Sequence, residues 1–255
     1  MLLKNKVAVV TGASRGIGAV AAQAFATAGA TVVLAARNAE ALRQVAAKVT
    51  ADGGTALAVP TDITDEDAVA DLMATVVDRF GALHLALNNA GGGVDVRHPE
   101  PVGTTRTATF DESLRTNLRG AYLCIKHEVT AMLATGGGAI VNTSSVAGFN
   151  AGVPGVSPYV AAKHGLQGLT KAAAIDYADK GIRINAIAPG PILTEVLAAA
   201  PQDIVDRIAT SIPMRRVGRM EEVAAAAVWL CSDQAAFVTG ATLPIDGGML
   251  AAGGH

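Results

Sequence analysis

The feature that most constrains this chain is an alternation: short β-branched runs take turns with Ala-rich segments of helical length, almost from end to end. KVAVVTG leads into a helical stretch through Gly29, followed by TVVLAA, a helix to about Ala51, and TALAVPTD. A helix from Asp65 to about Phe80 precedes the strand LHLALNNAG, and a long helix from about Asp111 to Ala134 precedes GAIVNTSS. A helix from about Pro158 to Tyr177, the strand IRINAIAPG, a helix near Glu221 to Leu230 and a strand near Ala241 to Ile245 complete the set. Strands separated by helices run mostly parallel, because each crossover returns the chain to the same end of the sheet. The expected fold class is therefore α/β: a doubly wound, mostly parallel sheet with helices on both faces.

No repeat, charge block or Ser/Pro-rich linker divides the chain, so residues 1–255 are expected to form one domain. Two stretches break the rhythm. Residues 91–109 form a Gly-, Pro- and Thr-containing loop after the fourth strand, and residues 193–217 form an Ala-rich insert with Pro201 and Pro213. Both follow the C-terminal ends of strands, where open parallel sheets bind ligands, and they are the candidate substrate loop and lid. The apolar residues come in short bursts rather than a membrane-length run, and MLLKNKVAVV enters a strand directly, which leads us to expect a cytoplasmic protein without a membrane partner. Cys124 and Cys231 are too few and too distant for a disulfide framework or a metal knuckle, and are expected as reduced, buried thiols. A net charge of −2 without a basic cluster speaks against nucleic acid as a partner.

The first strand ends in TGASRGIG, with a helix starting inside the motif. Gly12 permits a tight turn, Gly16 lets backbone approach a pyrophosphate, Gly18 lets helix and strand pack closely, and the helix N-terminus offers free N–H groups. An anion belongs there. No Lys-Ser/Thr pair follows, so a Walker-type nucleotide hydrolase is disfavoured. The second strand ends in Ala35-Ala36-Arg37-Asn38, where a carboxylate would bind a ribose 2′-OH and an arginine accommodates a 2′-phosphate. Arg37 with Arg15 forms a two-guanidinium clamp that favours NADP as cofactor, with NAD possible if Arg37 is only a solvated residue at the helix start.

Tyr159 and Lys163 are four apart on one predicted helix, and so share a face. A nearby ammonium favours phenolate, which equips a tyrosine of ordinary pKa near 10 for proton transfer at neutral pH. Asn142-Thr143-Ser144-Ser145 stands at a strand's C-terminal end just before them. Such a pair is common on solvated helix faces, and it is the phosphate loop upstream that gives this one chemical meaning.

Taken together, TGASRGIG, NNAG at Asn88 to Gly91, Asn117 in the long helix, SSVAG at Ser144 to Gly148, YVAAK, PGPILT from Pro189 to Thr194 and IDGG near the end resemble the short-chain dehydrogenase/reductase family. The resemblance covers nearly the whole chain and is to the single-domain kind, similar to 3-oxoacyl-carrier-protein reductases and related ketoreductases. It implies a Rossmann-like fold and an NAD(P)-dependent oxidoreductase that moves a hydride between the nicotinamide and a carbonyl or secondary alcohol. It makes Tyr159 the general acid/base, Ser145 the hydroxyl holding the substrate oxygen, Lys163 the group that lowers the tyrosine pKa and binds ribose, and Asn117 the anchor of a proton-relay water. It also implies cofactor contacts from Ser14 and Ile17 in the loop, from Asp62 and Ile63 at adenine, from Asn89, Ala90 and Gly91, from Pro189 and Gly190, and from Ile192 and Thr194 at the carboxamide. A homotetramer follows from it too, with the helices of Asn117 and Tyr159 in one interface and the C-terminal segment in another, although the same apolar C-terminal residues suit a monomer core.

Several readings stay open on the residues alone. Asp62 either contacts adenine or only supports a turn, with Thr64 and Asp67 forming a capping box. Ser144 competes with Ser145, though Ser145 directly precedes Val-Ala-Gly. His84, where the family usually has aspartate, is expected to be structural, and His164 a surface bystander; no metal site is expected. Phe149, Val153, Met214 and the lid run from Leu193 to Ala200 suggest an apolar small-molecule pocket. Arg106, Arg115, Arg119, Arg215, Arg216 and Arg219 would form either a docking patch for an acidic carrier protein or ordinary solvated surface. The alternative function is a cofactor-binding sensor without turnover, which the four intact polar residues oppose.

Overall fold

The computed structural model describes residues 1–92, 99–151 and 153–253. Seven strands, β1 (Val7–Thr11), β2 (Thr31–Ala36), β3 (Thr55–Pro60), β4 (Leu85–Asn88), β5 (Gly138–Thr143), β6 (Ile182–Pro189) and β7 (Thr242–Ile245), form one sheet in the order β3-β2-β1-β4-β5-β6-β7. Every pairing is parallel; Val9, for example, lies opposite Val33 on one side and Ala86 on the other. The chain winds outward from β1 to β3, then returns to the other side of β1 at β4. This reversal opens a crevice at the C-terminal ends of β1 and β4.

Helices α1 (Gly16–Thr27), α2 (Ala39–Ala51) and α9 (Met220–Cys231) bring Phe25, Leu42 and Val223 to one face of the sheet, onto Ala8 and Val10. On the opposite face α3 (Glu66–Phe80), α5 (Gly120–Leu133) and α6 (Ser157–Tyr177) bring Leu72, Leu123 and Ala173 onto Val7 and Val9. Because both faces are covered, β1 is buried along its whole length and reads as an unbroken apolar run rather than an alternating one. Each fully buried Leu or Phe contributes about 1.5–3 kcal/mol. Cys124 and Cys231 are buried free thiols.

Three local expectations are corrected. The Thr64–Asp67 capping box does not form: Asp65 caps α3, accepting from the Asp67 and Ala68 N–H groups at 3.0 and 3.4 Å, because Thr64 is taken by Asp62. The long helix starts earlier, as α4 (Thr107–Leu114), and passes through a π turn at Arg115–Arg119 before continuing as α5. The insert of residues 193–217, expected as a lid, contains two short helices, α7 (Glu195–Ala198) and α8 (Gln202–Ser211). Part of the loop 91–109, residues 93–98, lies outside the described residues. His84 is structural: its Nδ1 accepts the Val7 N–H at 3.0 Å, and burial, with Lys6 nearby, lowers its pKa so that this nitrogen stays free to accept. Among the described residues no helix is long and apolar enough to cross a membrane.

Candidate active site

Thr11 closes β1 and ties it to the turn after β4, its hydroxyl oxygen accepting from the Asn89 and Ala90 N–H groups at 3.1 and 3.0 Å. The phosphate loop and the NNAG segment thus form one wall. Gly12 has φ +67°, and a Cβ there would stand 2.8 Å from the Ala90 backbone; at Gly18 a Cβ would stand 2.3 Å from the Gly12 carbonyl oxygen. Only glycine fits either place. The N-terminus of α1 has no side-chain cap from Arg15 and no acidic residue in its first turn, so nothing within the helix competes with an anion for its N–H groups.

That terminus opens on a cavity of about 640 Å³ lined by Gly12, Ser14, Arg15, Gly16, Arg37, Asp62, Ile63, Asn89, Ala90, Gly91 and Thr194. Eleven residues expected from distant parts of the sequence therefore share one cavity. Ile17, Gly18, Pro189, Gly190 and Ile192 do not line it but shape it from behind. Gly190 donates its N–H to the Ile245 carbonyl at 3.0 Å, and Ile192 bridges to Gly218. Asp62 supports its turn, Oδ1 accepting from the Thr64 N–H and hydroxyl, each at 2.9 Å, and the residue also lines the cavity. The Thr64 N–H is the chief cause of its lowered pKa, with the Thr64 hydroxyl, Arg37 and Arg115 adding to it against the effect of burial.

Arg115 and Glu195 line the cavity too, and the sequence reading missed both as nucleotide-side residues. Arg115, expected either in a docking patch or as ordinary solvated surface, is paired with Glu112 at 2.8 Å and donates to the Thr64 hydroxyl at 2.7 Å. Arg216 and Arg219 are likewise held by Glu222. Its place on the π turn, unseen in the sequence, aims Arg115 here. Glu195 reaches from α7 so that its Oε1 accepts the Gly16 N–H at 3.3 Å, a carboxylate standing at the anion seat. Removing this charge by Glu195→Gln should tighten cofactor binding about two- to fivefold, the effect of a helix-terminus charge, in a fluorescence titration. Unchanged or weaker binding would show that the contact is incidental.

The reaction centre adjoins the far end of the cavity. Ser145 follows β5 and accepts the Ala147 N–H at 3.1 Å, which caps a short 3₁₀ turn and fixes its side chain. Ser144 is buried in packing, donating to the Lys163 carbonyl at 3.3 Å and accepting from Gln167 at 3.4 Å. Of the two serines, Ser145 is the one whose hydroxyl lies close enough to the Tyr159 phenol to bear on its pKa. Lys163 is 6% exposed; its Nζ donates to the Thr143 carbonyl at 2.9 Å and lies 5.5 Å from the centre of the Tyr159 ring. Asn117, on the π turn, accepts the Gly92 N–H at 3.1 Å and donates to the Ser113 carbonyl at 3.1 Å, so its amide joins the helix to the cavity wall. His164 is exposed on another face of α6.

The Lys163 ammonium is held at the Thr143 carbonyl and over the Tyr159 ring. Burial raises Tyr159 above its usual value, with the nearby Ser145 hydroxyl opposing it. Burial also lowers Lys163 to about 8.

The family model described as Enoyl-(Acyl carrier protein) reductase matches residues 12–250. A short-chain type dehydrogenase/reductase from Mycobacterium marinum superposes with a TM-score of 0.90 at 35% identity, over 96% of each chain. The chain belongs to the short-chain dehydrogenase/reductase family. Similar members include an A-factor type gamma-butyrolactone 1′-reductase of Streptomyces virginiae, 43% identical over 97% of this chain and 96% of that protein. A cyclohexanol dehydrogenase of an Acinetobacter species is 42% identical over 95% and 94%. A 3-oxoacyl-[acyl-carrier-protein] reductase of Staphylococcus aureus is 37% identical over 96% and 98%. As a short-chain dehydrogenase/reductase, this protein is an oxidoreductase that uses a nicotinamide cofactor, and its relatives act on small-molecule alcohols and ketones.

Proposed function

We propose that this short-chain dehydrogenase/reductase interconverts an apolar cyclic ketone and its secondary alcohol, prefers NADP(H) over NAD(H), and uses Tyr159 as its general acid/base. The observation that carries the reading is the meeting of Ser145 and Tyr159 hydroxyls beside the cavity, with the buried Lys163 ammonium over the tyrosine ring. The residues present suit a dinucleotide: a helix N-terminus that nothing within the helix caps, glycines where a Cβ would clash, and two guanidinium groups at Arg15 and Arg37. When bound, the nicotinamide supplies or accepts the hydride.

In the reduction direction Ser145 and Tyr159 hold the substrate oxygen by two hydrogen bonds, and Tyr159 donates its proton as charge develops there. The raised tyrosine pKa keeps that proton in place at neutral pH, which favours reduction there, whereas alcohol oxidation needs the phenolate and gains as pH rises. Lys163 orients the phenol and offers its remaining hydrogens to ribose, and Asn117 keeps Gly91 and Gly92 in line with the cavity. Pro189, Gly190, Ile192 and Thr194 carry the carboxamide side. A silent cofactor sensor would have no need of Asn117, Ser145, Tyr159 and Lys163 together.

Exposed Phe149, Val153, Leu193, Val196 and Met214 support an apolar substrate, as do the relatives named for cyclohexanol and a butyrolactone. The same reading makes residues 1–255 one domain, with substrate loop 91–109 and lid 193–217, at work in the cytoplasm on small molecules. It also includes a homotetramer, supported by an apolar groove of Leu114, Leu118, Tyr122 and Leu169 between the helices that carry Asn117 and Tyr159. Following absorbance of reduced nicotinamide with a panel of cyclohexanones and NADPH or NADH tests the reading. Turnover with NADPH is expected, and Arg37→Ala should raise the KM for NADPH about tenfold while sparing that for NADH, since one charge-assisted contact is lost. Equal effects on both cofactors would remove Arg37 from the 2′-phosphate site.

A further inference from the structure

Beneath the reaction centre, between the sheet and helices α5 and α6, runs a file of buried polar side chains that the hydride transfer does not touch. Glu128 on α5 is 0% exposed. Asn88, the last residue of β4, gives one amide hydrogen to Glu128 Oε2 at 2.9 Å and the other to Asn142 Oδ1 on β5 at 3.1 Å. Asn142 donates in turn to the Thr170 hydroxyl on α6 at 2.9 Å, and that hydroxyl donates to the Leu166 carbonyl at 2.8 Å. Each donor atom in the file has at least one acceptor. Two acceptors are left over: among the described residues Asn88 Oδ1 and Glu128 Oε1 are buried without a partner.

Those two oxygens belong to side chains that already share a hydrogen bond, and an ionised carboxylate has no hydrogen to place between them. One proton on Glu128 Oε1 changes the arithmetic: acid and amide then each donate once and accept once. Nor, among the described residues, does a cation face Glu128. Its titratable neighbours are the thiols of Cys124, one turn earlier on α5, and Cys231 on α9 across the sheet. His127 and Lys126 turn to Glu66 of α3, and Arg183 of β6 turns to the carbonyls of Leu230 and Ser232.

We propose that Glu128 is a neutral carboxylic acid closed in a reciprocal pair with Asn88, and that it serves as a positioning residue for the reaction centre. The pair secures the end of β4, from which Asn89 to Gly91 run along the cavity. Through Asn142 it also secures the end of β5, where the Thr143 carbonyl receives Lys163 and Ser145 follows. This second role rests on the catalytic reading given above; the protonated pair does not. Burial agrees with the geometry, pushing the Glu128 carboxyl up to about 8 against the Asn88 hydrogen bond.

Glu128→Gln rebuilds the same pair without a titratable group, its carbonyl accepting from Asn88 and its amide donating back. Infrared spectra at neutral pH should show the carbonyl stretch of a buried protonated carboxyl in the wild type and its loss in Glu128→Gln. The unfolded chain releases this proton near the ordinary glutamate pKa of about 4.3, whereas the folded chain keeps it until about 8. Wild-type stability, present below the first value, is therefore lost progressively toward the second. The melting temperature of Glu128→Gln should rise relative to wild type over that window, then level off.

In steady-state assays Glu128→Gln should keep kcat within about twofold, and Glu128→Leu, which strands the Asn88 amide, should lower kcat about tenfold with cofactor KM little changed. Absence of the infrared band, or a melting difference that does not change with pH, overturns the protonated pair. An unaltered kcat in a folded Glu128→Leu overturns the positioning role. A Leu variant that does not fold leaves the infrared and melting comparison of wild type with Glu128→Gln to decide the pair, with no substrate needed.

Discussion

Tyr159→Phe should lower kcat by about 10² to 10⁴, the range spanned by positioned proton donors, while cofactor affinity stays within about twofold. The change deletes one oxygen and nothing else. The ring that stacks under Lys163 remains, the Lys163 bond to the Thr143 carbonyl does not involve the phenol, and Ser145 keeps its bond from the Ala147 N–H. What disappears is the proposed proton donor to the substrate oxygen, and Ser145 has far too high a pKa to serve in its place. Steady-state rates with a ketone and NADPH, beside a fluorescence titration of cofactor, separate the two quantities. A variant that retains a tenth of wild-type kcat would remove Tyr159 from the role of acid.

Gly18→Ala should nearly abolish cofactor binding and also weaken the fold. A Cβ at residue 18 would stand 2.3 Å from the Gly12 carbonyl oxygen and 2.6 Å from Asn89 Nδ2, so α1 must lift off the loop that it packs on. Neither neighbour can yield cheaply. Gly12 is itself wedged against the Ala90 backbone, and Asn89 Nδ2 donates to the Thr11 carbonyl at 3.3 Å. Overpacking of this kind costs about 1–3 kcal/mol, and moving the helix N-terminus from the anion it would bind should cost about 10²-fold in cofactor Kd. Gly103→Ala, where no atom lies within 4 Å, is the matched control. Thermal melts and cofactor titration read both effects; wild-type affinity in Gly18→Ala would mean the loop tolerates the displacement and does not cradle a pyrophosphate.

The parts of this molecule that were legible beforehand are those where local chemistry leaves one solution. Fully buried parallel strands must be apolar throughout, so VAVVT and TVVLAA announce themselves, and TGASRGIG needs glycine where backbone meets backbone. What escaped notice was decided by contacts between distant residues. Asp65 rather than Thr64 caps α3 because Asp62 has already engaged Thr64, a competition that no spacing rule ranks. The spacing of Tyr159 and Lys163 correctly put both on one face of α6, but only the nearby Thr143 carbonyl determines where the ammonium is anchored. Glu195 and Arg115 enter the cavity from the proposed lid and a π turn, and nothing in their own neighbourhoods signals it.

The π turn has an implication for how this helix tolerates change in length. From Thr107 to Leu133 the chain holds one residue more than a regular α-helix of the same reach, and the surplus is absorbed at Arg115–Arg119. Deleting a residue there would remove the surplus and leave a regular helix whose downstream half keeps its phase, whereas a deletion between the turn and Leu123 would rotate everything beyond it by about 100°, the angle of one α-helical residue. In the second case Leu123, Cys124 and Glu128 would swing off the sheet, and in the first Asn117 would lose its hold on Gly92. The wide turn works as a phase adjuster, letting the first half of one rod answer to the cofactor wall and the second half to the core, two surfaces whose angular demands an unbroken helix cannot satisfy together.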